Sequence, residues 1–171
     1  MIRDLAKKLA TFEEFVDCVI IEVTFRRGKF KSGAEILKNH SSMSLLRASS
    51  SDEEIIVKMI RPRKKINPAL GCRIQSSEKI WRIFTVSEVL EFAEIVGDEN
   101  QICKLNPPIV PALLILETLI AEFQSDFIKL KFKHFITADE PLTLHGSGTR
   151  FVIDSAGVRK ILISTEARIN A

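Results

Sequence analysis

Histidine is scarce in this chain of 171 residues: there are three, His40, His134 and His145. None stands beside a serine or cysteine in a way that suggests a catalytic triad. No cluster has the spacing of a metal site, so neither metal nor other cofactor is expected. Cysteine is equally sparse. Cys18, Cys72 and Cys103 are an odd number, which argues against a disulfide framework and for a reducing compartment, with the cytoplasm as the expectation. No apolar run approaches the roughly 20 residues that a membrane helix needs. The opening segment, MIRDLAKKLATFEEF, lacks the apolar core of a secretory signal, and no membrane partner is expected. A formal net charge of +3 is too small to favour nucleic acid. Glycine-rich phosphate loops and aromatic-interleaved RNA motifs are missing as well.

What is present is an ordinary globular balance of 46% hydrophobic and 27% charged residues, enough for one domain or one domain with an elaboration. Residues 2–16 predict a short helix with Leu5, Leu9, Phe12 and Phe15 along one side. Cys18–Arg26, Lys29–Leu37, Ser41–Leu46 and Glu54–Ile60 read as strands of an antiparallel meander, with turns at Gly28 and over Ala48–Asp52. Arg61-Pro62-Arg63-Lys64-Lys65 and the following Asn67-Pro68 and Gly71 look like a linker. The expected division is therefore an N-terminal extension over 1–70 and a second domain over 71–171. In that second part, Arg73–Phe84 reads as a strand, and Trp81, the sole tryptophan, as a core or interface residue. Phe127–Ile136 alternates Ile128, Leu130 and Phe132 with Lys129, Lys131 and Lys133, which is a strand with one wet face. Leu142–His145, Thr149–Ile153 and Val158–Ile169 supply three more.

The stretch 84–121 holds the densest set of functional groups. Thr85 and Glu88 form a capping box, and Phe84 and Val89 are placed for a hydrophobic staple. Val86, Val89, Leu90, Phe92, Ala93 and Val96 recur at helical spacing until Gly97 stops the helix. A polar turn, Gly97–Cys103, follows. Asn106-Pro107-Pro108 is then extended, and Pro111 suits the first turn of a helix that is apolar on all sides except at Glu117 and Thr118. A carboxylate on such a helix needs a partner, a raised pKa or a task.

These residues resemble two related families. Phe84–Cys103 is similar to the MaoC-like (R)-specific enoyl-CoA hydratases, whose helix is followed by G-D-x-N-P-x-H; Gly97, Asp98, Asn100 and Ile102 fit that pattern. Cys103–Glu117 is similar to the β-hydroxyacyl-ACP dehydratases, with H-x-P-G-x-P-x-x-P-G-x-x-x-x-E; Pro108, Pro111 and Glu117 match, and Ala112 stands in a glycine slot. Both patterns put Cys103 at the position of the catalytic histidine. Phe127–Gly146 resembles the strand, turn and strand that follow the helix. The resemblance spans roughly residues 80–170 and does not reach residues 1–70.

The resemblance implies an α+β hot-dog fold, a long helix wrapped by an antiparallel sheet, over 71–171. It implies hydration or dehydration of enoyl and 3-hydroxyacyl thioesters of coenzyme A or acyl carrier protein. Asp98 would be the acid–base carboxylate, with Cys103 and Glu117 as further catalytic candidates and Asn100 as orienter. Backbone N–H groups near Pro111, Ala112 and Leu113 would hold the thioester carbonyl. A homodimer is expected, because such domains pair their sheets edge to edge and an uncovered edge strand near 73–84 is an aggregation liability. The alternatives are an acyl-thioester-binding or structural protein without turnover, a thioesterase, or an interaction protein using the basic run 61–65. That run is otherwise a solvated charge cluster or a contact to phosphate, of nucleic acid or of coenzyme A.

Overall fold

The structure is a computed structural model, and it describes residues 2–63, 79–100 and 104–166. Helix α1 (Ile2–Ala10) opens the chain, followed by a single 3-10 turn, Glu13–Phe15. Strands β1 (Val19–Arg27), β2 (Gly33–Asn39), β3 (Met43–Ser49) and β4 (Glu53–Ile60) come next. Then follow β5 (Arg82–Ile83), α2 (Val86–Val96), α3 (Ala112–Phe123), β6 (Phe127–Phe132), β7 (Pro141–Ser147), β8 (Arg150–Ser155) and β9 (Val158–Thr165). The nine described strands join in the order β2-β3-β4-β1-β6-β9-β8-β7-β5, each antiparallel to its neighbours.

That order contains a repeat. After α1 the four strands lie as first, fourth, third, second. After α3 the four strands β6–β9 lie in the same order, with β5 added at the far edge. The halves meet where their first strands pair, Glu22 opposite Lys131 through Arg26 opposite Phe127. Lys129 Nζ closes an ion pair with Glu22 across that seam at 2.9 Å. The expected domain boundary near residue 70 lies outside the described residues. On either side of it, strands β1–β4 and β5–β9 belong to one sheet.

Strand alternation explains the core. Val23 and Phe25 of β1, Ile55 and Val57 of β4, and Ile128 and Leu130 of β6 are buried on one face of the sheet and belong to the same core as residues of α1 and α3. From α3, Leu113, Leu114, Ile115, Leu116 and Leu119 enter the core. Each such side chain contributes about 1.5–3 kcal/mol of burial. Glu117, Thr118 and Ile120 remain partly exposed, so α3 is covered on most of its circumference rather than all of it. At nine residues α1 would be marginal in isolation. Ile2, Leu5 and Ala6 bury against the core, and Lys8 Nζ ties the helix to the Ser49 carbonyl at 2.6 Å.

Several expected boundaries shift. The helix expected over 2–16 breaks after Ala10, and Phe12 and Phe15 pack as an edge-to-face pair around the 3-10 turn. The strand expected over 29–37 runs from Gly33 to Asn39, because Lys31 and Ser32 are tied to Ser49 before regular pairing begins. The strand expected over 127–136 ends at Phe132, since Lys133 and His134 turn back onto the Lys160 carbonyl. Of the strand expected over 73–84, Arg82–Ile83 is seen, and residues 64–78 lie outside the described set. No helix among the described residues is long and apolar enough to cross a membrane.

Candidate functional site

The site is assembled by how α2 ends and α3 begins. The capping box forms as expected: Thr85 Oγ1 accepts the Glu88 N–H at 3.2 Å, and Glu88 Oε2 accepts the Thr85 N–H at 2.8 Å. Arg82 adds an ion pair to Glu88. These contacts, the Thr85 backbone N–H foremost, hold the Glu88 carboxyl below its usual range against the opposing effect of burial. At the other end Gly97 adopts φ 72°, and the Asp98 N–H reaches back to the Ala93 carbonyl at 2.9 Å. This left-handed reversal turns the chain sharply into Asp98. Asp98 Oδ1 then accepts the Asn100 N–H at 3.0 Å, a side-chain-mimicked turn. Asn100 is buried, and its Nδ2 donates to the Cys18 carbonyl at 2.8 Å. The polar loop is thereby fastened to the beginning of β1.

The start of α3 is held from the opposite side. The Val110 N–H donates to the Ile136 carbonyl, and the Ala138 N–H to the Pro108 carbonyl, each at 2.8 Å. The segment that supplies those groups is locked by Glu140. Its Oε2 accepts the Thr137 N–H at 2.9 Å, and its Oε1 pairs with Lys160 Nζ at 2.7 Å in a largely buried ion pair. Lys160 Nζ also donates to the Phe135 carbonyl. Pro111 caps α3. As at any helix start, the N–H groups of Ala112 and Leu113 have no acceptor within the helix and carry the positive end of its dipole.

Between these two ends lies a cavity of about 320 Å³. Asp98, Asn100, Pro111, Ala112 and Leu113 all line it, so the structure brings five of the residues singled out in the sequence to one place. Much of the remaining wall comes from the first half of the chain: Leu9 and Ala10 of α1, Leu46 of β3, Val57 and Met59 of β4. Cys18 also lines it and is a free, buried thiol. Sequence reasoning missed this contribution entirely. A signal was available in the repeated order of one helix and four strands.

Glu117 is not among the described lining residues. It receives a two-pronged contact from Arg3 of α1, with Nε to Oε1 at 3.0 Å and Nη2 to Oε2 at 3.2 Å. The guanidinium also lies over the Phe92 ring, 5.8 Å from its centroid. Hydrogen bonds and charge from Glu117 hold the Arg3 guanidinium above its usual range, although burial opposes them. The partner that this carboxylate requires is therefore supplied 114 positions away in sequence. Cys103, with Gln101 and Ile102, lies outside the described residues.

None of the three histidines lines the apolar cavity. His145 Nε2 meets Thr143 Oγ1 at 2.9 Å on β7. His40 borders a second, polar cavity of about 360 Å³, together with Ser41, Ser42, Glu14 and Arg61. Arg61, the first residue of the basic run, donates to the Glu14 carbonyl there at 3.0 Å, while Lys64 and Lys65 are outside the described residues. Among the described residues no group of His, Cys, Asp or Glu side chains is disposed to hold a metal.

No protein-family model matches the chain, and no curated protein sequence does. Solved structures do. HtdX from Mycobacterium tuberculosis superposes with a TM-score of 0.67 at 13% identity, covering 97% of this chain and 87% of that one. A MaoC-like dehydratase from Phytophthora capsici gives 0.54 at 11% identity, over 92% of this chain and 72% of that one. An acyl-ACP thioesterase from Bacteroides thetaiotaomicron gives 0.50 at 10% identity, over 95% and 82%. At these identities the likeness speaks to architecture, and it extends over the first half of the chain as well as the second. The chain is an α+β protein with the hot-dog fold.

Proposed function

We propose that the chain binds an acyl thioester in the cavity between α1 and α3 and catalyses hydration or dehydration at C2 and C3 of the acyl group. One observation carries this reading: a carboxylate, Asp98, and the start of α3 face the same apolar cavity. In the hydration direction Asp98 takes a proton from water, the water oxygen bonds to C3, and C2 receives a proton. The N–H of Ala112 or Leu113 supports the negative charge that develops on the thioester oxygen. Asn100, fixed to Cys18, orients the Asp98 turn. Cys103 is the proposed second proton-transfer group, at the position where the resembled families carry histidine. Glu117 is assigned to holding α1 through Arg3 rather than to the chemistry, which its ion pair supports.

A second reading is an acyl-thioester-binding protein without turnover. The specific observation in its favour is that no histidine borders the cavity. The carrier, coenzyme A or acyl carrier protein, belongs to the proposal in either case. The homodimer expected from the sequence is not needed to build the cavity, because both halves that line it belong to one chain.

The test is purified protein with crotonyl and 3-hydroxybutyryl thioesters of both carriers, followed at the absorbance of the conjugated thioester. Asp98→Asn is expected to lower turnover by about 10²-fold with folding intact. Cys103→His is expected to raise it, since imidazole titrates near neutral pH. Unchanged turnover in Asp98→Asn would remove Asp98 from the mechanism. Thioester binding with no turnover in the parent chain or either variant selects the second reading.

A further inference from the structure

The polar cavity of about 360 Å³ takes no part in the function proposed above. Among the described residues it shares Phe15 and Cys18 with the apolar cavity and no other side chain. Asn39, His40, Ser41 and Ser42 line it from the β2–β3 hairpin. The two-residue turn there is closed by the His40 N–H on the Met43 carbonyl at 3.0 Å, and by the Met43 N–H on the His40 carbonyl at 3.3 Å. Glu14 lines it from the 3-10 turn, and Arg61 from just beyond β4.

Donors outnumber acceptors in that lining. Arg61 gives Nη2 to the Glu14 carbonyl at 3.0 Å, and among the described residues its guanidinium joins no carboxylate. The rest of its planar fork is left for a ligand. Asn39 Oδ1 accepts from Ser44 Oγ at 2.8 Å, so the Asn39 amide nitrogen is left to donate. The side chains of His40, Ser41, Ser42 and Glu14 take no hydrogen-bond or ion-pair partner among the described residues. Arg61 is also the first of four cations in the run Arg61–Lys65. Glu14 is the exception, a carboxylate that accepts and does not donate.

We propose that this cavity is a second ligand site, for a hydroxylated phosphate monoester of about the size of a sugar phosphate. The phosphoryl group lies between Arg61 and the Ser41–Ser42 turn, where its oxygens meet the guanidinium fork and the two hydroxyls. Glu14, Asn39 and His40 take the hydroxyl groups of the body. The volume fits, since it holds on the order of a dozen waters and falls in the range of small-molecule sites, about 300–1,000 Å³. A phosphate ion alone leaves much of it empty. The Glu14 carboxylate sets the preference, because it opposes a bare anion and accepts from one that carries hydroxyl groups.

The full chain is titrated calorimetrically with glucose 6-phosphate, inorganic phosphate and glucose. Glucose 6-phosphate should bind at least about tenfold more tightly than either of the others. Arg61→Gln should weaken both phosphate ligands by about tenfold or more, through lost charge-assisted hydrogen bonds. Ser41→Ala combined with Ser42→Ala should weaken both severalfold. Glu14→Gln should weaken glucose 6-phosphate and leave inorganic phosphate unchanged or tighter. All four positions are exposed, so the variants should fold as the parent does. No binding of either phosphate ligand at about 1 mM overturns the inference, as does inorganic phosphate binding as tightly as glucose 6-phosphate. Binding that survives Arg61→Gln and is lost in Arg63→Gln overturns it too, by placing the anion on the basic run outside the cavity. Displacement of glucose 6-phosphate by coenzyme A overturns the second site and gives the cavity to the acyl carrier, whereas undiminished binding beside coenzyme A upholds it. No arm uses an acyl group, so each result stands whether or not the acyl-thioester reading holds.

Discussion

The two halves of the sheet share one arrangement of a helix and four strands, yet their helices do different work. In the second half α3 has twelve residues, is apolar at most positions, and drives five consecutive residues, Ala112–Leu116, into the core. In the first half α1 has nine residues, four of them charged, and buries Ile2, Leu5 and Ala6. The shorter helix leaves part of its half unfilled, and the cavity opens there. The second half supplies the polar loop and helix start that face it. Duplicating an architecture thus divides the labour, with one copy providing part of an apolar wall and the other the polar loop and helix start that border it.

The largest expected effect tests whether α3 is the helix that carries the core. Leu116→Ala should cost about 2–5 kcal/mol in chemical denaturation, by lost burial and a residual void. Leu9→Ala on α1 borders an existing cavity and should cost less than about 2 kcal/mol. Equal losses would mean that the two helices contribute alike and that the comparison is mistaken.

A smaller effect concerns the local structure that aims Asp98. Thr85→Ala should destabilise by about 1 kcal/mol through the lost cap. Glu88 has a depressed folded-state pKa, so its contribution is present above the ordinary carboxyl value of 4.5 and is lost as pH falls through the lower folded value. The stability difference between the parent and Glu88→Gln should accordingly shrink on acidification below that value. A difference that grows toward acid would contradict the direction of the shift.

Least of all, the Arg3–Glu117 pair should couple α1 to α3 by about 0.5–1 kcal/mol in a double-mutant cycle, since both side chains are about a third exposed. A Glu117→Gln variant with normal stability but about 10²-fold lower turnover would return Glu117 to the chemistry.

What could be read from the sequence is whatever its neighbours in the chain determine. The capping box at Thr85 and Glu88, the stop at Gly97, the apolar α3 and the alternation through Ile128 and Leu130 follow from hydrogen bonds and periodicities within a few residues. The amino-acid order also showed that Glu117 needed a partner, a raised pKa or a task, but not that Arg3 would pair with it. Tertiary structure alone decided that β1 pairs with β6, that Asn100 bonds to the Cys18 carbonyl, and that Leu46 and Val57 line the same cavity as Asp98. Those contacts bridge about 40 to more than 100 positions. They leave no trace in local spacing, because the free energy that selects them is the burial of one apolar face against another, and that face exists once the sheet has closed over both helices.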